Sequence, residues 1–378
     1  MIVCGPPLKD GSLDVCLAPG WQLVYGGDTV DKGGAVGGSV RVVRTLVRLK
    51  ERYGSRVTLL IGNRDVNKMR LTSELHTSQL TRESLDWLPG PYWVPSAKSV
   101  SPMAYLSKLA SAGTELPKGA TPPTPDEKTL GALNTPFNRL RWLLVETMGS
   151  AGEEERRRAE LSTLSGGRPI SDDEVVASFV ESVQPGGFMR RYLELGELGK
   201  VINGSLYVHG GVMSDQYGDR APHCVGKVPG RSSAVESVQA WVEALNAWKE
   251  EQVTEWVAQP LWVDARSSPS QCHCMGGYDA RGGQALMNYG VYGSPAGVVL
   301  GRHLEKNGMP KRMPEELVKL LTTGGVKRLV VGHTPHGACS GQEACPLKGR
   351  HTLAPLRPLC HPPYYGQLSS SSLPICMI

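Results

Sequence analysis

A chain of 378 residues with 40% hydrophobic content is long enough for one large domain or two small ones and can bury a sizeable core. Its net charge of +5 favours phosphorylated substrates, but Lys and Arg are interspersed with Asp and Glu, which excludes a basic face for nucleic acid. No apolar run reaches membrane-spanning length and MIVCGPPLKDGSLD lacks a basic-then-apolar leader, so a soluble, cytoplasmic protein without a membrane partner is the default expectation. Nine scattered cysteines predict reduced thiols rather than a disulfide framework.

The first predicted element is a hairpin in LKDGSLDVCLAPGW, turning around Asp10-Gly11. It leads into QLVYGGD (22–28), the first of four short apolar runs that each end in glycine and a metal-capable residue. The others are VTLLIGNRD (57–65), SLYVHGG (205–211) and RLVVGHTPHG (328–337). Such runs read as buried strands that deliver a polar group at their C-terminal edge, where α/β sheets place their chemistry. Between the first two lies SVRVVRTLVRLKERYG, with Val40, Val43 and Val47 on one face, Ser39 as N-cap and Gly54 as stop. Strand, helix and strand make a βαβ unit with parallel neighbours.

Residues 71–200 read as a mostly helical insertion, with a Ser-, Pro- and Gly-rich surface loop over 96–128. FNRLRWLLVETM spaces Phe137, Leu140, Leu144 and Met148 for a helix. EEERRR sets Glu153 and Glu154 four residues before Arg157 and Arg158, which predicts a solvated helix face. Ser171 with Glu174 matches a capping box. Further on, Val238, Trp241, Leu245 and Trp248 share one face of a long helix, a pattern of core packing rather than of a nucleobase platform. MPEELVKLLTTGG starts a helix with Pro314 at its first position and stops it at Gly324. The domain is expected to span 1–340, and 341–378, without periodicity, to be a disordered tail.

In chain order the four loops offer Asp28 and Asp31, then Asn63, Arg64 and Asp65, then His209, then His333 with His336. Hydrolysis of phosphate esters with two metals about 3.5–4 Å apart needs a bridging carboxylate, imidazole and amide ligands, and cations for the phosphoryl oxygens. Asp28, Asn63, His209 and His333 are those types, and together they suit Mn, Fe or Zn without choosing among them.

GD-x-x-D-[RK]-G, GN-x-[DE], HGG and GHTP, in that order over residues 20–70 and 200–340, resemble the calcineurin-like metallophosphoesterase superfamily, nearest its phosphoprotein phosphatase-like branch. The resemblance implies an α/β fold, a β-sandwich flanked by helices. It also implies metal-dependent phosphatase activity on a phosphorylated protein, nucleotide or small molecule. In it Asp28 would bridge two divalent metal ions, while Asn63, His209 and His333 would complete the second ion's ligands. Asp31 would lie behind these ligands in the same loop. Lys32 takes the place of a phosphate-contacting Arg, keeping the charge without the bidentate fork. Arg64 stands where relatives carry a His thought to protonate the leaving group. Arg stays charged at neutral pH, so its expected role is to clamp the phosphate or to neutralise charge in the transition state. Pairing of Arg64 with Asp31 or Asp65 is the alternative.

Two departures from the family pattern stand out. Relatives carry an Asp-x-His about one βα unit before the GD motif, and residues 1–27 contain none. The expected explanation is a chain that starts downstream of that motif; a catalytically impaired member acting as a binding or scaffold protein is the rival. After GHTP relatives add a further strand and an Asp-Thr-Gly-like turn, whereas CSGQEACPLKGRHTLAPLRPLCHPP follows here and leaves that strand unplaced. His336 reads as a solvent-side loop residue. Cys272-His273-Cys274, with Cys339, Cys345, Cys360 and His361, matches no zinc-ligand spacing.

Overall fold

All four glycine-terminated apolar runs form strands. A computed structural model describes residues 2–3, 5–31, 38–87, 94, 98–112, 123–213, 223–262, 281–291, 297–301, 303, 311–334 and 375–377. β1 (Ile2–Val3) and β2 (Val15–Cys16) pair antiparallel on either side of the predicted turn, where the Gly11 N–H donates to the Leu8 carbonyl at 2.8 Å. Cys16 is disulfide-bonded, against the expectation of reduced thiols, whereas Cys224 is free and buried.

β3 (Gln22–Tyr25) and β4 (Val57–Leu59) pair in parallel through the crossover helix α1 (Ser39–Tyr53), as the βαβ pattern predicts. α1 buries Val40, Val43 and Val47 and stops at Gly54. The second loop runs into α2 (Asn63–Asn67). The insertion supplies α3 (Leu71–Glu74), α4 (Arg82–Trp87), α5 (Pro102–Ala110), α6 (Glu127–Leu133) and α7 (Pro136–Trp142), which continues into a π-helical turn at Leu143–Thr147. It closes with α8 (Glu153–Leu164), α9 (Asp172–Ser182) and α10 (Phe188–Leu195). The predicted capping box holds at α9, where the Ser171 N–H donates to Glu174 Oε2 at 3.0 Å and the Glu174 N–H to Ser171 Oγ at 3.2 Å.

Two expectations about α1 and α8 are corrected together. The N-cap of α1 is Gly38, not Ser39, and it provides no side-chain cap. Glu160 of α8 does so from across the fold, accepting from the Val40 N–H at 3.1 Å and the Arg41 N–H at 2.9 Å, while Glu153 accepts from Ser39 Oγ at 2.9 Å. Glu153, Glu154, Arg157 and Glu160 are therefore buried rather than solvated. The unpaired N–H groups and positive pole of a helix start are a natural partner for carboxylates.

β5 (Gly199–Ile202) and β6 (Ser205–Val208) form a hairpin through Asn203-Gly204, both at positive φ, as two-residue hairpin turns require. Then come α11 (Val238–Ala258), α12 (Gln284–Tyr289), α13 (Glu315–Thr323) and β7 (Arg328–Val330), which pairs parallel with β6. α11 buries Val238, Trp241, Leu245 and Trp248, and α13 begins directly after Pro314 and ends at Gly324. Within the segment expected as a tail, β8 (Ile375–Met377) pairs parallel with β3.

The result is a mixed α/β fold on small sheets, ordered β4-β3-β8 and β5-β6-β7. They are stitched where the Ile61 N–H donates to the Glu197 carbonyl at 2.9 Å. Leu23, Leu59, Leu206 and Val208 face a core shared with the insertion, while Val24, Leu60 and Tyr207 form a second, smaller cluster against Ile202 and Val330. Among the described residues no helix is long and apolar enough to cross a membrane. The parallel pairs set the ends of β3, β4, β6 and β7 beside one another, and the four glycine loops leave from those ends.

Candidate metal centre

The loop after β3 turns sharply. Four described non-glycine residues adopt positive φ, namely Asp28, Asp31, Asn203 and His333, at +54°, +76°, +50° and +62°. Asn203 belongs to the hairpin turn; the other three are residues singled out from the motifs. Holding such residues in the left-handed region costs about 1–3 kcal/mol each, and that cost concentrates where function demands it.

Asp65 joins the first two loops. Its carboxylate accepts from the N–H groups of Asp28, Thr29 and Gly62, each at 2.8 Å, and from the Thr29 hydroxyl. Burial, and then the neighbouring Asp28 charge, push Asp65 up to about 6 against these donors. Asp65 is therefore a brace between loops and not the partner of Arg64.

Asp28 Oδ1 accepts from the Arg64 N–H at 3.0 Å and lies 3.3 Å from His209 Nε2. His209 Nδ1 sits 2.7 Å from the Gly26 carbonyl, which assigns the ring hydrogen to Nδ1 and leaves Nε2 as a lone-pair donor facing Asp28. That Nε2 makes no hydrogen bond although His209 is only 2% exposed. Burial by itself disfavours both charges, yet His209 and Arg64 hold Asp28 below its ordinary range, and Asp28 raises His209. His333 meets the His209 ring edge-on at 5.4 Å between centroids, and its Nδ1 lies 3.1 Å from Asn63 Oδ1. The ligand atoms of Asp28, His209 and His333 all fall within 4.8 Å of one another.

The motif glycines are required by this closeness. A Cβ on Gly62 would fall 2.2 Å from Asp28 Oδ1 and 2.8 Å from His209 Cε1, and one on Gly27 would fall 2.7 Å from His209 Nδ1. The Gly332 N–H donates to the His209 carbonyl at 2.7 Å and so docks the last loop on the third.

Carboxylate, two imidazoles and an amide oxygen around a buried, unpartnered nitrogen fit one divalent ion. Among the described residues this is the one group of three or more His, Cys, Asp or Glu side chains close enough to share an ion.

Behind the cluster, buried Asp31 forms an ion pair with buried Lys68 and accepts from Ser150 Oγ at 2.8 Å. Arg64 donates to Ser150 Oγ at 3.1 Å, with its Nε 3.7 Å from Asp28 Oδ2 and its Nη1 3.9 Å from Asp31 Oδ2. Arg64 thus keeps company with Asp31, one of its two expected partners, while also reaching Asp28. Lys68 was visible only as a cation one helical turn after Arg64, and Ser150 carried no sequence signal at all. Lys32, His336 and the remaining cysteine groups, Cys272-His273-Cys274 and Cys339 to His361, lie outside the described residues.

Comparison with protein families, curated proteins and solved structures finds no match to this chain.

Proposed function

We propose that this chain is a calcineurin-like phosphoesterase domain that hydrolyses phosphate esters with a divalent metal, acting in the cytoplasm on a phosphorylated protein, nucleotide or small molecule. One observation carries the reading: Asp28, Asn63, His209 and His333, from four separate strand ends, converge on one point. The small cluster of Val24, Leu60 and Tyr207 supports a β-sandwich with helices outside.

A Mn, Fe or Zn ion held by those four residues would supply positive charge to the phosphoryl group. The chain's own residues do the rest. Asp28 binds the ion, with the Arg64 N–H and guanidinium set against its carboxylate. Arg64, with 14% of its side chain exposed at the edge of the cluster, presents guanidinium donors to phosphoryl oxygens. Ser150 and Asp31 aim that guanidinium, and Lys68 holds Asp31. Lys32, in the Asp28 loop, is proposed as a second cation for the phosphate. That one such donor group stands among the described residues favours a second reading, a catalytically impaired member that binds phosphorylated partners without turnover.

Hydrolysis of an aryl phosphate with added Mn²⁺ is expected for wild type and abolished by Asp28→Asn. Activity that survives the substitution removes Asp28 from the role. Phosphate binding by metal-loaded protein without turnover selects the second reading.

A further inference from the structure

We infer that this chain takes one divalent transition-metal ion rather than two, and that the Arg64 guanidinium is fixed as an organic cation at the oxygen of Asp28 that a second ion would need. The inference rests on the proposed reading only in taking the convergence of the four loops as a metal site.

The two oxygens of Asp28 face different side chains, and Oδ1 also accepts the Arg64 backbone N–H at 3.0 Å. Oδ1 looks toward the unpartnered His209 Nε2 at 3.3 Å, on the side where His333 and Asn63 stand. Oδ2 looks toward Arg64 Nε at 3.7 Å. A carboxylate can bridge two cations by giving one oxygen to each, and here the cation at the second oxygen is part of the chain.

Arg64 is not a wandering surface arginine. Its backbone N–H donates to the same Asp28 carboxylate at 3.0 Å, so main chain and side chain approach Asp28 together. Its Nη1 donates to Ser150 Oγ, and Ser150 in turn donates to Asp31, whose charge is balanced by Lys68. Ser150 lies three residues after the π-helical turn of Leu143–Thr147, an irregularity that is frequent at functional sites. An ion at Oδ2 would meet a guanidinium that three groups hold in place, and like charges at such separations repel strongly in a partly buried site. On the Oδ1 side the donors are two imidazoles, a carboxylate and an amide oxygen, a complete set for a four-coordinate ion such as Zn²⁺.

The test uses the full chain, stripped with a chelator and loaded with Zn²⁺ or Mn²⁺. Metal counted after gel filtration is expected at one ion per chain, and bound Mn²⁺ is expected to give the electron paramagnetic resonance pattern of an isolated ion. Asp28→Asn and His209→Ala are expected to lose the ion while circular dichroism shows that they remain folded. Arg64→Met removes the neighbouring charge and is expected to tighten Zn²⁺ binding about tenfold or more at unchanged stoichiometry, whereas Arg64→Lys stays near wild type. Two ions per chain, an exchange-coupled Mn²⁺ spectrum, or an Arg64→Met affinity equal to wild type each overturn the inference and leave metal-dependent hydrolysis standing. One ion per chain without aryl phosphate hydrolysis overturns the catalytic reading and leaves the inference standing. No ion at all overturns both.

Discussion

Two charged clusters lie below the surface of this fold, and they are built on opposite terms. At the α1–α8 contact, Glu153 receives Ser39 Oγ on one oxygen and Arg156 on the other, and Glu160 receives one N–H of α1 on each oxygen. At the strand ends, His209 Nε2 has no hydrogen bond and Asp28 meets imidazole and guanidinium only at 3.3 and 3.7 Å. Buried carboxylates with a donor on each oxygen, such as Glu153 and Glu160, hold a fold together, whereas an open nitrogen among metal-capable side chains marks where a ligand completes the arrangement. The first cluster should accordingly respond in stability and the second in binding.

The largest stability effect is expected between the two clusters. Lys68→Met strands the Asp31 carboxylate in the interior, and breaking a buried pair on one side costs about 3–5 kcal/mol, read as a lowered urea midpoint. A loss below about 1 kcal/mol would show that Ser150 and Arg64 alone sustain Asp31. Next comes Glu160→Ala, which uncaps α1 and is expected to cost about 1–2 kcal/mol with Zn²⁺ affinity unchanged. A parallel loss of affinity would couple the clusters through Arg156, which donates to the Asp31 carbonyl at 3.4 Å.

The pH dependence of the interior supplies a third check. Burial alone would raise Glu74, but Arg70 and Arg281 outweigh it and hold its carboxyl below the ordinary value of 4.5. The unfolded chain then takes up this proton first as pH falls. Stability from Glu74 is full above that value, and it is lost as pH drops through it toward the lower folded value. Wild type and Glu74→Gln should differ most near neutrality and converge in acid; a gap that widens in acid would contradict the assignment. The smallest effect is expected from Asp28→Asn, which keeps an oxygen for the Arg64 N–H and should change stability by under about 0.5 kcal/mol while abolishing metal binding.

The strands, the βαβ unit and the four loops were legible because each depends on local pattern, a short apolar run broken by glycine. Asp28, Asn63, His209 and His333 converge because those runs lie side by side with their loops at one end. Contacts between distant segments left no such trace. Glu160 caps a helix start 120 residues away in the chain, and its spacing in EEERRRAE fits an exposed face equally well. Ser150 reaches Arg64 across 86 residues with nothing in its neighbours to announce it. Asn203-Gly204 is a different case: the hairpin was not among the expectations, although an Asn-Gly pair before an apolar run is the local signal for one.

The central claim is that Asp28, His209 and His333 enclose a metal ion. Anomalous diffraction at the zinc edge from crystals grown with Zn²⁺ tests it most directly. A single strong peak among Asp28 Oδ1, His209 Nε2, His333 and Asn63 Oδ1, with Arg64 still against Asp28 Oδ2, is the predicted result. A map with no peak there, or with two, would contradict the account.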